Sequence, residues 1–227
     1  MLTINEILAQ ELGQKLQYIE NVVALIDEGN TIPFIARYRK EMHGAMDDTT
    51  LRNLETRLTY LRNLQTRRDE VKKSIENQGK LTEELAAAID AAATMTEVED
   101  LYRPYKQKRR TRGSIAREKG LEPLAAAIFA QDGQDPAQLA ESYLDPEKGV
   151  TTVEEALQGA SDIIAEDLSD DADIRKNLRA LVTRRGVFTC KAVEEAEEDG
   201  VYKLYYDFSQ SISRMMDHQI LAINRGE

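Results

Sequence analysis

Residues 49–77 have the sequence TTLRNLETRLTYLRNLQTRRDEVKKSIEN, and this stretch decides the fold. Its apolar residues recur at three- and four-residue steps, which is the spacing of one face of an α-helix. They are Leu51, Leu54, Leu58, Leu61, Leu64, Val71 and Ile75. Asp47 and Asp48 precede the stretch, where a helix favours an N-cap acceptor and negative charge, and Gly79 follows it. We therefore predict a helix from about residue 49 to 77, roughly 40 Å long at 1.5 Å per residue.

The leucine stripe predicts a packing seam inside the chain rather than a coiled-coil dimer. Beyond Leu61 the heptad positions that a coiled coil fills with apolar residues hold Gln65, Arg68 and Lys72. Start and stop signals predict further helices on both sides of this one, among them the capping boxes Thr3–Glu6, Thr96–Glu99 and Thr152–Glu155. The predicted helices lie at about 3–13, 14–28, 83–92, 97–102, 114–119, 122–130, 136–143, 153–168, 172–186 and 217–226.

After Gly186 the chain becomes rich in β-branched and aromatic residues, first at 187–193 and again at 201–208. This pattern is typical of a short strand pair or an extended arm around the acidic turn 194–200. The predicted fold class is all-α: a multi-helix scaffold with a long central helix and a helix-turn-helix-like part, plus a short strand pair near 187–208. We expect three parts: 1–100 with the long helix, 101–186 beginning with a basic loop, and 187–227 with the arm and a final helix that leads to a downstream domain.

The charge distribution restricts the classes of ligand. The net charge is −11, from 30 Lys plus Arg against 41 Asp plus Glu. Residues 103–119 carry eight basic residues and one acidic residue, a local charge of +7, so the remaining residues carry −18. Because affinity for phosphate grows with the number of cations that displace counterions, the chain as a whole opposes binding to a polyanion. Any contact with nucleic acid must be local and salt-sensitive, and it must be weak unless another domain contributes.

Common catalytic and cofactor motifs are absent from the sequence. Neither Gly-rich phosphate-binding pattern nor a Gly-x-Ser-x-Gly elbow occurs, and the single Cys190 excludes a disulfide framework and is expected to be a buried structural thiol. His43, Asp47 and Asp48 could offer metal ligands, but the two carboxylates suit a helix start, which would leave His43 in an exposed loop. We expect no enzyme activity, no cofactor and no metal. No leader or membrane span is evident, which predicts a cytoplasmic protein without membrane contacts.

The candidate binding site is the basic stretch YRPYKQKRRTRG at residues 102–113. Its six cations, here called the cationic strip, are Arg103, Lys106, Lys108, Arg109, Arg110 and Arg112, and Tyr102 and Tyr105 lie among them. Pro104 interrupts a regular helix, so we expect an extended surface loop. Fully stretched, residues 103–112 would span at most about 35 Å, enough to follow several phosphates. Aromatic rings among cations suit single-stranded nucleic acid, where stacking adds to charge. Alternatively, the tyrosines are core anchors and the cations pair with carboxylates of this chain or of an adjoining domain.

Several long segments resemble the N-terminal region of the Tex family of bacterial transcription accessory proteins. They are residues 31–41 (TIPFIARYRKE), 47–55 (DDTTLRNLE), 100–112 (DLYRPYKQKRRTR), 120–124 (GLEPL), 143–150 (YLDPEKGV) and 218–226. The resemblance covers essentially the whole chain. The sequence departs from the family pattern at residues 43–46 (HGAM), where Thr-Gly-Gly-Leu is more usual. It departs again at Arg103 and Gln107, where Leu and Pro are more usual.

The resemblance implies a large, mostly helical, multidomain protein that binds nucleic acid and acts in transcription. In this family the helical region is followed by a nuclease-like domain thought to be degenerate, by helix-hairpin-helix modules and by a C-terminal RNA-binding domain. We therefore expect this chain to be a scaffold or binding region of an RNA-binding transcription accessory factor. The alternative is an interaction scaffold that docks the downstream domains or RNA polymerase, while nucleic acid binds elsewhere.

Overall fold

The computed structural model describes residues 2–107, 109–193 and 201–225. The chain divides into a first unit, Met1–Tyr102, and a second unit, Arg103–Glu227. The predicted all-α fold with a short strand pair is confirmed, since the described residues form thirteen α-helices and one two-stranded sheet. The three-part division and the helix-turn-helix likeness stay predictions. No helix among the described residues has the length and apolar character needed to cross a bilayer.

The first unit consists of seven helices. Their bounds are α1 Ile4–Leu12, α2 Leu16–Asp27, α3 Ile32–Tyr38, α4 Lys40–His43, α5 Asp48–Glu76, α6 Glu83–Ala91 and α7 Met95–Tyr102. The predicted capping box at Thr3 is confirmed, because its side chain accepts from the backbone N–H of Glu6 and the Glu6 carboxylate accepts from Thr3. Gly13 ends α1 in the left-handed conformation that a C-terminal glycine favours.

Helix α5 organises the first unit, as the leucine stripe predicts. All seven apolar residues of the stripe are buried within this single chain, so the predicted intramolecular seam is confirmed. Leu51, Leu54, Leu58 and Leu61 share one core cluster with the buried faces of α1, α2 and α3. At the start of α5 the Asp47 carboxylate accepts from the backbone N–H of Thr50 at 2.7 Å, as an N-cap residue does.

Two sequence predictions in the first unit are wrong. His43 is 2% exposed instead of lying in an exposed loop, because residues 32–43 form the unpredicted helices α3 and α4. The ring of Tyr18 also covers Gly44, which follows His43. The capping box at Thr96 lies two residues too late: Thr94 accepts from the N–H of Glu97, whose carboxylate accepts from Ala93.

The second unit contains helices, short 3₁₀ turns and the strand pair. The helices are α8 Arg112–Glu118, α9 Glu122–Ala130, α10 Pro136–Glu141, α11 Val153–Asp170, α12 Ala172–Arg185 and α13 Asp217–Arg225. Its core lies around α11, where small residues allow close helix packing: Ala116, Ala125, Ala140, Ala156 and Ala160 are all buried. At Gly159 a Cβ atom would lie 2.4 Å from Leu121 Cδ1, so only glycine permits this approach of the α8–α9 turn.

Strands β1 Val187–Lys191 and β2 Asp207–Ser211 form an antiparallel pair in which Val187 faces Ser211. The sequence places the second strand at 201–208, and this prediction is wrong in position. Residues Lys203–Tyr205 form a 3₁₀ turn and the ladder starts at Asp207, opposite Lys191. Cys190 is half-buried rather than buried, because one face of a two-stranded ribbon stays open to solvent. The acidic turn 194–200 and Gly226 lie outside the described residues.

Candidate nucleic-acid interface

The cationic strip lies at the start of the second unit. Pro104 prevents α7 from continuing, and residues Arg103–Tyr105 form one 3₁₀ turn before an irregular segment leads to α8. Helix α8 starts at Arg112, two residues earlier than predicted, because Thr111 and Ser114 form a reciprocal cap. The described cations of the strip are all exposed; they are Arg103, Lys106, Arg109, Arg110 and Arg112. Lys108 lies outside the described residues.

The strip cations differ in how they are paired. Arg103 Nε donates to Asp170 Oδ1 at 2.9 Å, and Asp170 is only 7% exposed. Arg110 contacts Glu118 at 3.0 Å, with both side chains largely in solvent, and Arg112 lies 3.8 Å from Asp162. Within the described ranges, Arg109 makes no hydrogen bond or ion pair. Arg103 is therefore an anchor within the second unit, whereas residues 109–112 present guanidinium groups that are held loosely.

The two tyrosines belong to different units. Tyr102 ends α7 in the first unit, where its hydroxyl lies 2.9 Å from Ser74 Oγ and the Arg67 guanidinium lies 5.5 Å from its ring centroid. Tyr105 lies in the second unit, and both tyrosines are half-buried. Tyr102 thus has the partners of a core anchor, and one face of its ring is already covered by a cation. A stacking role for these rings stays a prediction.

A cluster around Arg117 was not predicted, although it fixes the helix that follows the strip. Arg117 contacts Glu166 at 2.6 Å, Asp167, and Glu122 at 3.4 Å. Burial opposes its charge, but the bonds to Glu166 and Asp167 outweigh this and raise the pKa of Arg117. Glu166 also accepts from the Thr111 hydroxyl at 2.9 Å, so one carboxylate of α11 ties both the cap and the body of α8. No local sequence signal reveals the pairs of Arg117 with Glu166 and Asp167, because these partners lie 49 and 50 residues away along the chain.

The metal-like constellation at 43–48 is not assembled. Asp47 caps α5. Hydrogen bonds from the Thr50 side chain, which has the larger effect, and from the Thr50 backbone lower the pKa of Asp47. Asp48 pairs with Arg52 at 2.7 Å, and His43 is buried with both ring nitrogens lacking a hydrogen-bond partner. Among residues 2–107, 109–193 and 201–225, no three His, Cys, Asp or Glu side chains converge as metal ligands would.

A hollow of about 260 Å³ adjoins the strip between α8 and α11. Arg112 and Lys119 line it, but so do Glu155 and Asp162. The Lys119 ammonium donates to the carbonyl of Gly149 at 2.8 Å. Because carboxylates and cations line this hollow together, it does not resemble a phosphate cradle.

Comparison with known proteins places the chain in one family. Residues 2–76 match the model of the Tex-like protein N-terminal domain, and residues 131–227 match the Tex central region-like model. The chain is 48% identical over 220 residues to Protein tex of Bordetella pertussis, covering 96% of this chain and 28% of the relative. It is 42% identical over 226 residues to the transcriptional accessory protein Tex of Neisseria gonorrhoeae, covering 99% of this chain and 30% of the relative.

A human relative is more distant. The S1 RNA-binding domain-containing protein 1 of Homo sapiens is 34% identical over 217 residues, which cover 91% of this chain and 21% of the relative. The chain thus spans at most about 30% of the length of these relatives.

Proposed function

Because this chain belongs to the Tex-like proteins, whose N-terminal and central regions it carries, we propose that it is a helical binding scaffold of a transcription accessory factor. The cationic strip contacts the phosphates of single-stranded nucleic acid, RNA in the first place, and the chain has no reactive centre of its own. A relative named for transcription and another named for an RNA-binding domain support the ligand class.

The observation that carries this proposal is the pairing pattern of the strip. Arg109 has no partner within the described part of the chain, and the Arg110–Glu118 pair is exposed on both sides. Exposed ion pairs contribute about 0–1 kcal/mol, so a phosphate can replace the carboxylate at little cost. A guanidinium group also forms bidentate hydrogen bonds with phosphate oxygens. Arg109, Arg110 and Arg112 are therefore the principal phosphate contacts, with Lys106 and Lys108, which precede them in the sequence, as further contacts.

The rest of the chain limits the affinity. Outside residues 103–119 the net charge is −18, and this field repels a phosphate backbone at distances up to the Debye length of about 8–10 Å. The strip therefore binds weakly and in a strongly salt-dependent manner. In the longer relatives such a weak contact would add to those of further domains on the same strand, since linked sites reinforce each other.

The test compares three forms of the 227-residue chain by fluorescence anisotropy with a labelled oligouridylate. Arg109→Gln/Arg110→Gln should weaken binding about 25-fold at about 0.1 M salt, because two phosphate contacts of a single strand are lost. Lys73→Gln/Lys80→Gln removes the same charge from exposed positions in and after the last turn of α5 and should leave the affinity nearly unchanged. Equal losses in the two variants would remove the strip from the interface.

Exposed apolar residues favour a second candidate function, an interaction scaffold that docks further domains or RNA polymerase. On α12, Leu178 is 54% exposed and Val182 is 50% exposed, and Leu221 of α13 is also exposed. Exposed apolar side chains of this size indicate a contact surface when they lie together. Retention of purified RNA polymerase by the immobilised chain, lost in Leu178→Ser/Val182→Ser but kept in Arg109→Gln/Arg110→Gln, would support this function. No retention by the unaltered chain would exclude the polymerase as partner.

A further inference from the structure

A second cationic surface lies in the first unit, on helices that the sequence analysis did not predict. Helices α3 and α4 and the start of α5 enclose a hollow of about 420 Å³. It is lined by Pro33, Ala36, Arg37, Lys40, Asp48 and Arg52. Ala36 and Arg37 lie three and four residues after Pro33 and therefore share its face of α3, and Lys40 begins α4. Three cations and one carboxylate thus surround one open hollow.

The cations of this hollow are available to a ligand. Within the described residues, Arg37 and Lys40 make no ion pair, and both side chains are exposed. Arg52 pairs with Asp48 at 2.7 Å, but both side chains are more than half exposed, so the pair contributes little and can be exchanged. In the hollow beside the strip, by contrast, two carboxylates offset the two cations. The α3–α5 hollow has the excess of positive charge that a phosphate requires.

An exposed aromatic ring lies next to these cations in the sequence. Tyr38 is 58% exposed, although a tyrosine of this size would gain by burial. The Phe34 ring contacts it at a centroid distance of 5.3 Å, and the Arg39 guanidinium lies 5.2 Å from the Phe34 centroid. Arg39 also donates to the Tyr38 carbonyl at 3.2 Å. Phe34 and Arg39 therefore hold Tyr38 in place while most of its surface stays open.

We propose that the hollow lined by Arg37, Lys40 and Arg52, together with the exposed Tyr38 that follows Arg37, is a second binding site for single-stranded nucleic acid. The hollow holds the phosphates, and Tyr38 stacks on a base. Aromatic platforms beside a cationic groove bind single strands without sequence preference, because every base has a π-face. The site extends the proposed function to the first unit and does not depend on the cationic strip. Ordinary solvated charge would explain the cations, but not the large exposed tyrosine that follows Arg37 at the end of α3.

Two variants of the 227-residue chain separate phosphate binding from stacking. Arg37→Gln/Lys40→Gln should weaken binding of a labelled oligouridylate about 25-fold at about 0.1 M salt and reduce the magnitude of the salt slope by about 1.4. Tyr38→Ala should weaken it at least about fivefold, whereas Tyr38→Phe keeps the stacking face and should bind normally. On an abasic single strand, Tyr38→Ala should have no effect, and the loss in Arg37→Gln/Lys40→Gln should remain.

The matched control is again Lys73→Gln/Lys80→Gln. Lys73 lies 21 residues after Arg52 on the same helix, about 30 Å along its axis, so its removal changes the net charge but not the hollow. If Arg37→Gln/Lys40→Gln binds no more weakly than this control, the second site is refuted. If Tyr38→Ala binds the oligouridylate normally but no longer binds purified RNA polymerase that the unaltered chain retains, the surface docks protein and the proposal is wrong. Measuring Arg109→Gln/Arg110→Gln in parallel shows independently whether the strip binds.

Discussion

Gly44→Ala should destabilise the first unit much more than Gly13→Ala does, although both glycines have almost the same backbone conformation. Their φ angles are 60° and 62°, in the left-handed region. Alanine at either position destabilises the folded state by about 1–2 kcal/mol, because its Cβ disfavours this conformation. The two positions differ in their surroundings, because a Cβ at Gly13 would meet nothing within 4 Å, whereas one at Gly44 would lie 2.3 Å from Tyr18 Cε2.

This contact sets the expected magnitude. Atoms of a well-packed ring cannot approach to 2.3 Å, so Tyr18 must move out of its place against the first core cluster. Overpacking of this kind costs about 1–3 kcal/mol. We therefore expect Gly44→Ala to lower the free energy of unfolding by about 2–5 kcal/mol and Gly13→Ala by only about 1–2 kcal/mol. The same close contact fixes the end of α4, the helix that carries Lys40.

Urea denaturation followed by far-ultraviolet circular dichroism measures both values. A double-mutant cycle with Tyr18→Ala isolates the contact, since without the ring Gly44→Ala should cost no more than Gly13→Ala. Equal losses in the two single variants, with Tyr18 intact, would show that the Tyr18 ring does not pack on Gly44 as described.

Three further predictions concern ionisable groups. Arg103→Gln should lower the free energy of unfolding by about 1 kcal/mol, because Asp170 is buried while Arg103 is half exposed, yet it should leave oligouridylate binding nearly unchanged. The hydrogen bond from Arg57 lowers the folded-state pKa of Glu11, so this group stabilises the fold above its unfolded pKa and that stability is lost as pH falls through the folded pKa. Acid titration of stability in Arg57→Gln should therefore show a smaller loss. Finally, His43→Leu should raise stability by about 1 kcal/mol in thermal unfolding, since it removes two buried ring nitrogens without hydrogen bonds.

The elements that the sequence predicts well are those whose signal is local. The stripe of α5 has seven apolar residues at helical spacing, and the helix begins and ends within one residue of the predicted bounds. The start of α7 was missed because Thr94–Glu97 and Thr96–Glu99 fit the same capping pattern. Only a distant contact distinguishes the two capping boxes: Glu99 pairs with Arg67 of α5 at 2.7 Å, and the box that forms is Thr94–Glu97. Helices α3 and α4 are short, and their helical signal is weak because their stability comes from packing.

The binding surfaces, too, can be predicted from the sequence only as far as their signal is local. Composition identifies the strip as cationic, but only the structure separates Arg103, held by Asp170, from Arg109, which has no partner in the described ranges. The α3–α5 surface could have been noticed from Arg37, Arg39 and Lys40 around Tyr38. Its hollow could not, because Arg52 reaches it from a separate helix.

The salt dependence of binding tests the central claim, that the cationic strip contacts phosphates, most directly. The observed association constant of the 227-residue chain for oligouridylate is measured over a series of salt concentrations, with and without Arg109→Gln/Arg110→Gln. Four phosphates at the strip contribute roughly −3 to the log–log slope, and losing two should reduce its magnitude by about 1.4. A slope that is the same in both forms, or flat in the unaltered chain, would contradict the account.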